Sequence, residues 1–400
     1  MLSLDQIRGL SRQTPSRIVL LVIDGLGGLP GPSGKSELET AKSPNLDGLA
    51  ARGICGMVDP VGRGITPGSA PGHLGLFGYD PARHIVGRGI LEALGIDFDV
   101  RAGDVAVRGN FCTVDENGIV TDRRAGRIST EENARLCEKL RSIRLDGADV
   151  LVEPVKEHRF VLVFRGEGLT GGVSDTDPQQ AGLAPVPARP DTHRGQKVAD
   201  LANGFVEKAA QELAGSRPAN MVLLRGFSQH PELPTFQELY RLNPAAIASY
   251  PMYRGLSKLA GMKVLETGAT IRDEIDTLKQ HFAEHDYFFV HVKKTDSSGE
   301  DGDFDAKVSV LEELDALLPR VLELEPDVIV VSGDHSTPAV LKAHSWHPVP
   351  VVLYSKWCRP DGVKEFSERA CMSGGLGRFP AMEIMPLAMA NALKLAKFGA

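Results

Sequence analysis

Arg17-Ile18-Val19-Leu20-Leu21-Val22-Ile23-Asp24-Gly25 is the stretch on which the fold turns. Branched apolar residues run without polar alternation and stop abruptly at an acid and a glycine. A continuous run of this kind reads as a strand buried on both faces of a parallel sheet. Residues 287–292, 328–331 and 349–354 look alike, and each lies beside a cluster of polar residues. Open α/β sheets collect their sites at the carboxyl ends of such strands. Helical spacing is read at 45–52, 271–285 and 304–322, the last with Val308, Leu311, Leu314 and Leu318 in a 3.6-residue rhythm. The expected fold class is α/β, with a doubly wound core.

Four hundred residues exceed one typical domain, so a large core plus a second unit is expected. From residue 81 to 254 the chain is richer in Arg, Asp, Gly and turn signals. Shorter strands are read at 104–107, 160–164 and 221–224, helices at 131–143 and 194–213, and a loop at 176–190. This segment reads as a smaller α/β cap inserted into a core made of residues 1–80 and 255–400. Hydrophobic residues are 42% and charged residues 24%, which excludes a disordered, collagenous or small disulfide-bonded chain. The net charge of −7 carries no general nucleic-acid footprint. No window is long and apolar enough to span a membrane, and the first residues do not read as a signal peptide. Five dispersed cysteines without a C-x-x-C pair fit a reducing compartment, and the cytoplasm is the expected location.

Gly25-Leu-Gly-Gly-Leu-Pro-Gly31 follows a strand but is a poor dinucleotide loop, because prolines interrupt it and no helix pattern follows directly. Asp24 is the stronger signal: a carboxylate ending a buried strand is costly unless paired or bound to a metal. Ser69, in Thr66-Pro-Gly-Ser-Ala-Pro-Gly-His73, sits where a helix can begin, with Pro71 in its first turn. It is either a helix cap or a nucleophile whose phosphate would face helix N–H groups, and as a nucleophile it needs a base or metal. Asp296 and Glu300 follow one apolar run, Asp334 and His335 another, and His344 and His347 come shortly after. Carboxylates and imidazoles converging at strand ends suit Mn²⁺ or Zn²⁺, and a metal pair suits phosphoryl chemistry.

These motifs resemble the alkaline phosphatase superfamily, and within it the archaeal-type, cofactor-independent phosphoglycerate mutases. The likeness is carried by V-I-D24-G-L-G, S69-A-P-G-H73, K-T-D296-x-x-G, S-G-D334-H335-S-T-P and A-H344-S-W-H-P-V-P. It extends through residues 43–53 and into the middle by R-A-G-D104-V-A-V-R-G-N110-F, V-D-E-N-G-I-V-T-D-R-R124-A-G-R127-I and S-D-T-D-P178. The resemblance implies an alkaline-phosphatase-like core with an inserted cap. It implies Ser69 as phosphorylated nucleophile, Asp24, Ser69, Asp334 and His335 on one divalent metal, and Asp296 and His344 on the other. Where relatives commonly carry His, this chain has Glu300. It is read as a ligand that the Gly299 turn holds close to Asp296, shifting preference toward Mn²⁺ or Mg²⁺; the alternative is that Glu300 points to solvent and Asp301 or Asp303 supplies the ligand, or the site has one fewer. Mn²⁺ is the first expectation, with Zn²⁺ and Co²⁺ as alternatives. His347 is read as supporting the site from behind or as a surface residue.

A phosphate and a carboxylate on the substrate call for arginine forks. The candidates are Arg123, Arg124, Arg127, Arg225 and Arg254, with Asp175 either on a substrate hydroxyl or shaping its turn. The implied reaction interconverts 3-phosphoglycerate and 2-phosphoglycerate in glycolysis and gluconeogenesis without 2,3-bisphosphoglycerate. The alternative is a metal-dependent phosphatase or another phosphomutase of the superfamily. The expected partner is this small-molecule substrate, with no nucleic acid and no membrane; a homo-oligomer is left open.

Overall fold

A computed structural model describes residues 2–399. Contacts divide them into two units: one runs up to Ile85, through Leu233–Tyr250 and on from Ser257, the other is Val86–Glu232 with Pro251–Leu256. Strands are numbered along the chain. β1 (Ile18–Ile23) and β2 (Ile54–Asp59) belong to the first unit. The second contributes β3 (Val105–Val114), β4 (Val120–Asp122), β5 (Asp149–Lys156), β6 (Arg159–Arg165) and β7 (Met221–Ser228). β8 (Pro244–Ile247), β9 (Lys263–Leu265), β10 (Tyr287–Val292), β11 (Val328–Ser332), β12 (Val349–Ser355) and β13 (Gly377–Pro380) complete the first.

The first unit is built on an eight-stranded sheet of order β13-β2-β12-β11-β1-β10-β8-β9. β1 is central, parallel to both β10 and β11, and every residue of all three strands is buried. That burial explains the unbroken apolar runs. On one face Phe288 stacks on Phe282 and meets the His285 ring edge-to-face, beyond helix Ile271–His281. On the other Phe289 and His291 meet His73, which belongs to helix Ser69–Leu76. Helices therefore lie on both faces, as a doubly wound α/β fold requires.

Two readings of the sequence change. Val349–Ser355 is antiparallel to both of its neighbours, β11 and β2. Its amino end, not its carboxyl end, therefore lies at the edge where β1, β10 and β11 finish, and the residues preceding it are the ones brought there. Second, the return to the first unit falls at Leu233 rather than near 255, because β8 pairs in parallel with β10. Residues 251–256 then fall in the second unit, as the first two turns of helix Pro251–Leu259.

In the second unit β3 pairs antiparallel with β6 and β7, and β6 with β5. One face buries Val107, Phe111, Phe160, Phe164, Val222 and Leu224 against Leu136 and Phe205, which come from helices Thr130–Leu140 and Gln196–Leu213. Helix Arg88–Gly95 packs on the opposite face; a Cβ on Gly89 would stand 2.1 Å from the Ala106 carbonyl. Among the described residues no helix is long and apolar enough to cross a membrane.

Candidate active site

The carboxyl ends of β1, β10 and β11 and the segment entering β12 deliver their polar residues to one place. Asp24 follows β1 directly and is fully buried, its N–H donating to the Val292 carbonyl. The Gly25 N–H donates to Asp334 Oδ1 at 3.2 Å. Gly25 has φ +66°, and a Cβ there would lie 2.9 Å from Asp296 Cα, so glycine is required at this turn. The glycines beyond it do not feed a helix N-terminus, as a nucleotide loop requires; the next helix is the four-residue Glu37–Thr40.

Ser69 is the first residue of helix Ser69–Leu76, and the cap position is Gly68. Its hydroxyl therefore does not cap the helix; Oγ lies 3.3 Å from His335 Nε2. Gly72, one turn on, seats this helix against Asp334, since a Cβ would come within 2.1 Å of the Asp334 carbonyl. His335 Nε2 is also 3.3 Å from Asp24 Oδ1 and 3.1 Å from Asp334 Oδ2. Thr337 Oγ1 gives its only proton to Asp296 Oδ1 (2.7 Å), so toward His335 Nδ1 (2.9 Å) it accepts. That bond places the neutral ring's proton on Nδ1 and turns the Nε2 lone pair toward Ser69 and the carboxylates. The His335 and His344 rings stack at 3.6 Å, and His344 Nε2 is 3.5 Å from Asp296 Oδ1.

Two groups of potential cation ligands result: Asp24, Asp334 and His335, and Asp296, His335 and His344. His335 thus stands within reach of both. Glu300 lies apart from these groups, with Oε1 3.8 Å from His344 Nε2 and a side chain 55% exposed. Gly299 makes no turn. Residues Lys294–Asp301 are helical, and the four-residue spacing puts Glu300 on the face of Asp296. Gly299 instead allows close approach of the Thr337 carbonyl, 2.2 Å from where a Cβ would be. His347 turns toward Ser345 Oγ (3.0 Å) and stacks on Trp346.

The electrostatics fit a cation. Three carboxylates, Asp24, Asp296 and Asp334, are buried together. Burial and Asp334 push the Asp24 carboxyl up, but Lys293 and His291 outweigh them and hold it low. Burial likewise raises Asp334, while His335 and His73 bring it well below the carboxylate range. His335 is itself lowered by burial and raised more by Asp334, Asp24 and Asp296, ending at about 9. An imidazole that retains its proton so strongly marks an excess of negative charge at the point where a metal ligand would stand.

Sequence reasoning passed over several residues here. Lys293 Nζ lies 3.1 Å from Asp24 Oδ2 and also contacts Asp296 Oδ2. His291 Nε2 is 3.2 Å from the same Asp24 oxygen. His73 Nδ1 meets the Ser69 carbonyl at 2.8 Å and Asp334 Oδ2 at 3.1 Å. Lys293 and His291 stand in the run that leads to Asp296, so their signal was the period-two alternation at the end of β10.

The second unit holds the arginines. Arg123 forks onto Asp177 (3.0 and 2.7 Å), a pairing that braces the loop after Thr176. Arg225 Nε is 3.4 Å from Asp175, which also accepts the Gly226 N–H, so Asp175 ties its own loop to β7. Arg254 meets Asp97 at 3.8 Å. Arg124 and Arg127 are exposed and lie within electrostatic reach of His158, with Arg108 and Arg159. Burial and these four guanidiniums together push the His158 imidazole down to about 3. Arg88, Arg108 and Arg159 were not singled out from sequence.

The doubly wound sheet, with a serine at a helix start facing an Asp/His cluster on its carboxyl edge, defines an α/β protein whose polar site lies at the ends of its central strands. Residues 50–220 match the family described as 2,3-bisphosphoglycerate-independent phosphoglycerate mutase. An Aquifex aeolicus relative named "Probable 2,3-bisphosphoglycerate-independent phosphoglycerate mutase" is 52% identical over 99% of this chain and 100% of its own. A Thermus thermophilus relative of the same name is 50% identical over 98% of each. Among solved structures, a Thermoplasma acidophilum cofactor-independent phosphoglycerate mutase superposes with TM-score 0.69 at 32% identity, covering 94% of this chain and 100% of that one. A Pyrococcus horikoshii protein reaches TM-score 0.83 at 29% identity, covering 96% and 99%. The chain belongs to the 2,3-bisphosphoglycerate-independent phosphoglycerate mutase family.

Proposed function

We propose that this enzyme interconverts 3-phosphoglycerate and 2-phosphoglycerate through a phosphoserine at Ser69, with no 2,3-bisphosphoglycerate primer, in glycolysis and gluconeogenesis in the cytoplasm. The observation that carries the reading is Ser69 itself. It opens a helix without capping it, and its hydroxyl faces His335 and two buried carboxylates.

Asp24, Ser69, Asp334 and His335 would hold one divalent cation, and Asp296 and His344 the other, with Glu300 completing it when its exposed side chain turns inward. Mn²⁺ is the first choice, because oxygen ligands outnumber imidazoles. When bound, the cations supply the positive charge that lets a serine hydroxyl ionise near neutral pH. Ser69 Oγ takes the phosphoryl group from the substrate's O3, the glycerate is held and re-presented, and the group passes to O2. Backbone N–H groups of the first helical turn face the phosphoryl oxygens, and the Lys293 ammonium stands beside them. Arg124, Arg127 and Arg225 retain the glycerate through its charge, with Arg254 and Asp175 shaping the same unit. Water must be excluded while the phosphoserine exists; otherwise the reaction ends as hydrolysis.

An enolase-coupled assay on 3-phosphoglycerate tests the reading, run with and without Mn²⁺ and 2,3-bisphosphoglycerate. Conversion that depends on Mn²⁺ and ignores the bisphosphate is expected. Release of inorganic phosphate in its place would identify a phosphatase.

A further inference from the structure

Between His335 and His344 the chain leaves the core and comes back. Residues up to Ala339 are buried, 340–343 are exposed, and His344 returns partly buried. Pro338 has no N–H, so the first donor after Thr337 is that of Ala339, the last buried residue before the exposed turn. It donates to Glu37 Oε1 at 2.7 Å. Glu37 is completely buried and opens the four-residue helix Glu37–Thr40. Its other oxygen, Oε2, has no hydrogen-bond partner among the described residues and lies against Gly28, where a Cβ would stand 2.0 Å from it. Ser36 caps the same helix and gives its hydroxyl proton to Glu368 Oε2 (2.7 Å), while Glu368 Oε1 accepts the Gly28 N–H (2.8 Å).

A fully buried carboxylate with one oxygen left open is costly in a fold that gains nothing from it. Glu37 could act as a counter-charge for Lys307 or as an anchor for Ala339, and the surroundings of Thr337 favour the anchor. Lys307 also has Glu368, Asp296 and Asp24 as opposing charges, so its ammonium does not depend on Glu37 alone. Thr337 is held at its N–H by the Gly27 carbonyl (3.0 Å) and at its own carbonyl by Lys307 Nζ (2.9 Å), and Glu37 takes the next N–H along. A backbone held at these successive groups fixes where the Thr337 hydroxyl stands, between Asp296 Oδ1 and His335 Nδ1. Asp296 belongs to one candidate cation group and His335 to both. On the far side of Ala339, the Leu341 and Lys342 N–H groups fold back onto the Pro338 carbonyl (3.0 and 3.1 Å), closing the turn that leads to His344.

We propose that Glu37 is a positioning residue for both cation groups. Its bond to Ala339 fixes the stretch that sets Thr337 between Asp296 and His335, and it seats the base of the turn that returns with His344. The carboxylate acts through backbone and serves as an acceptor rather than as a charge. The inference rests on the proposed cation-assisted reaction and extends it to a residue outside both ligand sets.

Mn²⁺ binding to the metal-free, full-length protein tests this, followed by electron paramagnetic resonance without substrate, with urea unfolding of each variant alongside. Wild type is expected to take up two equivalents. Glu37→Gln keeps an acceptor for Ala339 and gives up only the charge, because Oε2 accepts nothing; both affinities are expected within about threefold of wild type. Glu37→Asp keeps the charge but draws the acceptor back by one methylene, and both affinities are expected to fall about tenfold or more. An Asp protein that is folded and binds within threefold of wild type, or a Gln protein that binds more weakly than the Asp protein, would overturn the proposal. Thr337→Val removes the hydroxyl at the next link while nearly keeping shape, and decides the matter if the Asp protein does not fold. It should weaken both equivalents, and Thr337→Ser should restore them; unchanged binding in the Val protein would overturn the route from Glu37 to the ligands. Wild type that shows this pattern yet does not convert 3-phosphoglycerate would count against the reaction and support the positioning role, whereas wild type that binds no Mn²⁺ would count against both.

Discussion

Lys307 is completely buried in helix Phe304–Leu322, and its ammonium joins two loops of the candidate site. Nζ donates to the carbonyls of Gly25 (2.8 Å), Gly27 (3.1 Å) and Thr337 (2.9 Å). Burial lowers its pKa, opposed by Glu37 and Glu368. Lys307→Met keeps length and volume but removes all three bonds. Hydrogen bonds from a charged donor contribute about 1.5–3 kcal/mol each, roughly 5–9 kcal/mol in all. Against this, the ammonium no longer has to be desolvated, a return of several kcal/mol. The net loss is about 3 kcal/mol. Urea unfolding followed by tryptophan fluorescence reads it cleanly, because Trp346 and Trp357, the chain's two tryptophans, both belong to the first unit. With a slope of about 3 kcal/mol/M, the midpoint should fall by about 1 M. Thr337 hydrogen-bonds Asp296 and His335, so turnover should fall as well. A midpoint within about 0.2 M of wild type would refute the reasoning, whatever happened to activity.

Ser69→Ala should cut both mutase and phosphatase rates by several orders of magnitude with the fold unchanged; rapid-quench phosphopeptide mapping that places the label on Thr66 would contradict it. Glu300→Ala should lose one metal equivalent, and Glu300→His should keep it while shifting preference toward Zn²⁺ or Co²⁺; unchanged stoichiometry and rate in the Ala protein would exclude Glu300 as a ligand. Burial raises the Glu274 carboxyl to about 8, only partly offset by its Ser249 and Lys294 neighbours. An acid raised on folding is protonated in the native chain where the unfolded chain is ionised, so stability falls as pH rises from about 4.5 to about 8 and then levels. Glu274→Gln should flatten that slope, worth up to about 5 kcal/mol; identical pH profiles of unfolding for the two proteins would remove Glu274 as its source.

Much of the site was legible because it sits where the apolar runs stop. Asp24, Asp334 and His335 follow fully buried strands, and a polar residue at such a boundary stands out against its neighbours. Strand direction was not legible. Val349–Ser355 carries the same branched apolar pattern as β1, and only pairing with Ile54–Asp59 and Val328–Ser332 shows that it runs the other way. Pro244–Ile247 is four residues with two alanines, too short and too weakly patterned to betray a strand of the main sheet. Asp149–Lys156 is mostly half-buried and contains Pro154, so its signal was diluted as well. Arg108 and Arg159 were hidden differently. Arginines scattered singly along separate strands leave no run in the sequence, and the convergence of Arg108, Arg159 and Arg225 exists only across β3, β6 and β7.

Helix Pro251–Leu259 starts among residues of the second unit and finishes in the first. Within the second unit it is fitted to helix Arg88–Gly95 glycine against backbone. A Cβ on Gly255 would fall 1.9 Å from the Leu91 carbonyl, and one on Gly95 would fall 2.1 Å from that of Pro251. Residues 86–232 are therefore not a self-sufficient cassette. A chimera that swaps them alone between relatives would bring a new Leu91 and Gly95 against an old Pro251 and Gly255, and any mismatch in backbone path would be met by hard atoms rather than by flexible side chains. Successful recombinants should carry both segments from one parent, so that breakpoints cluster before Val86 and after Leu256.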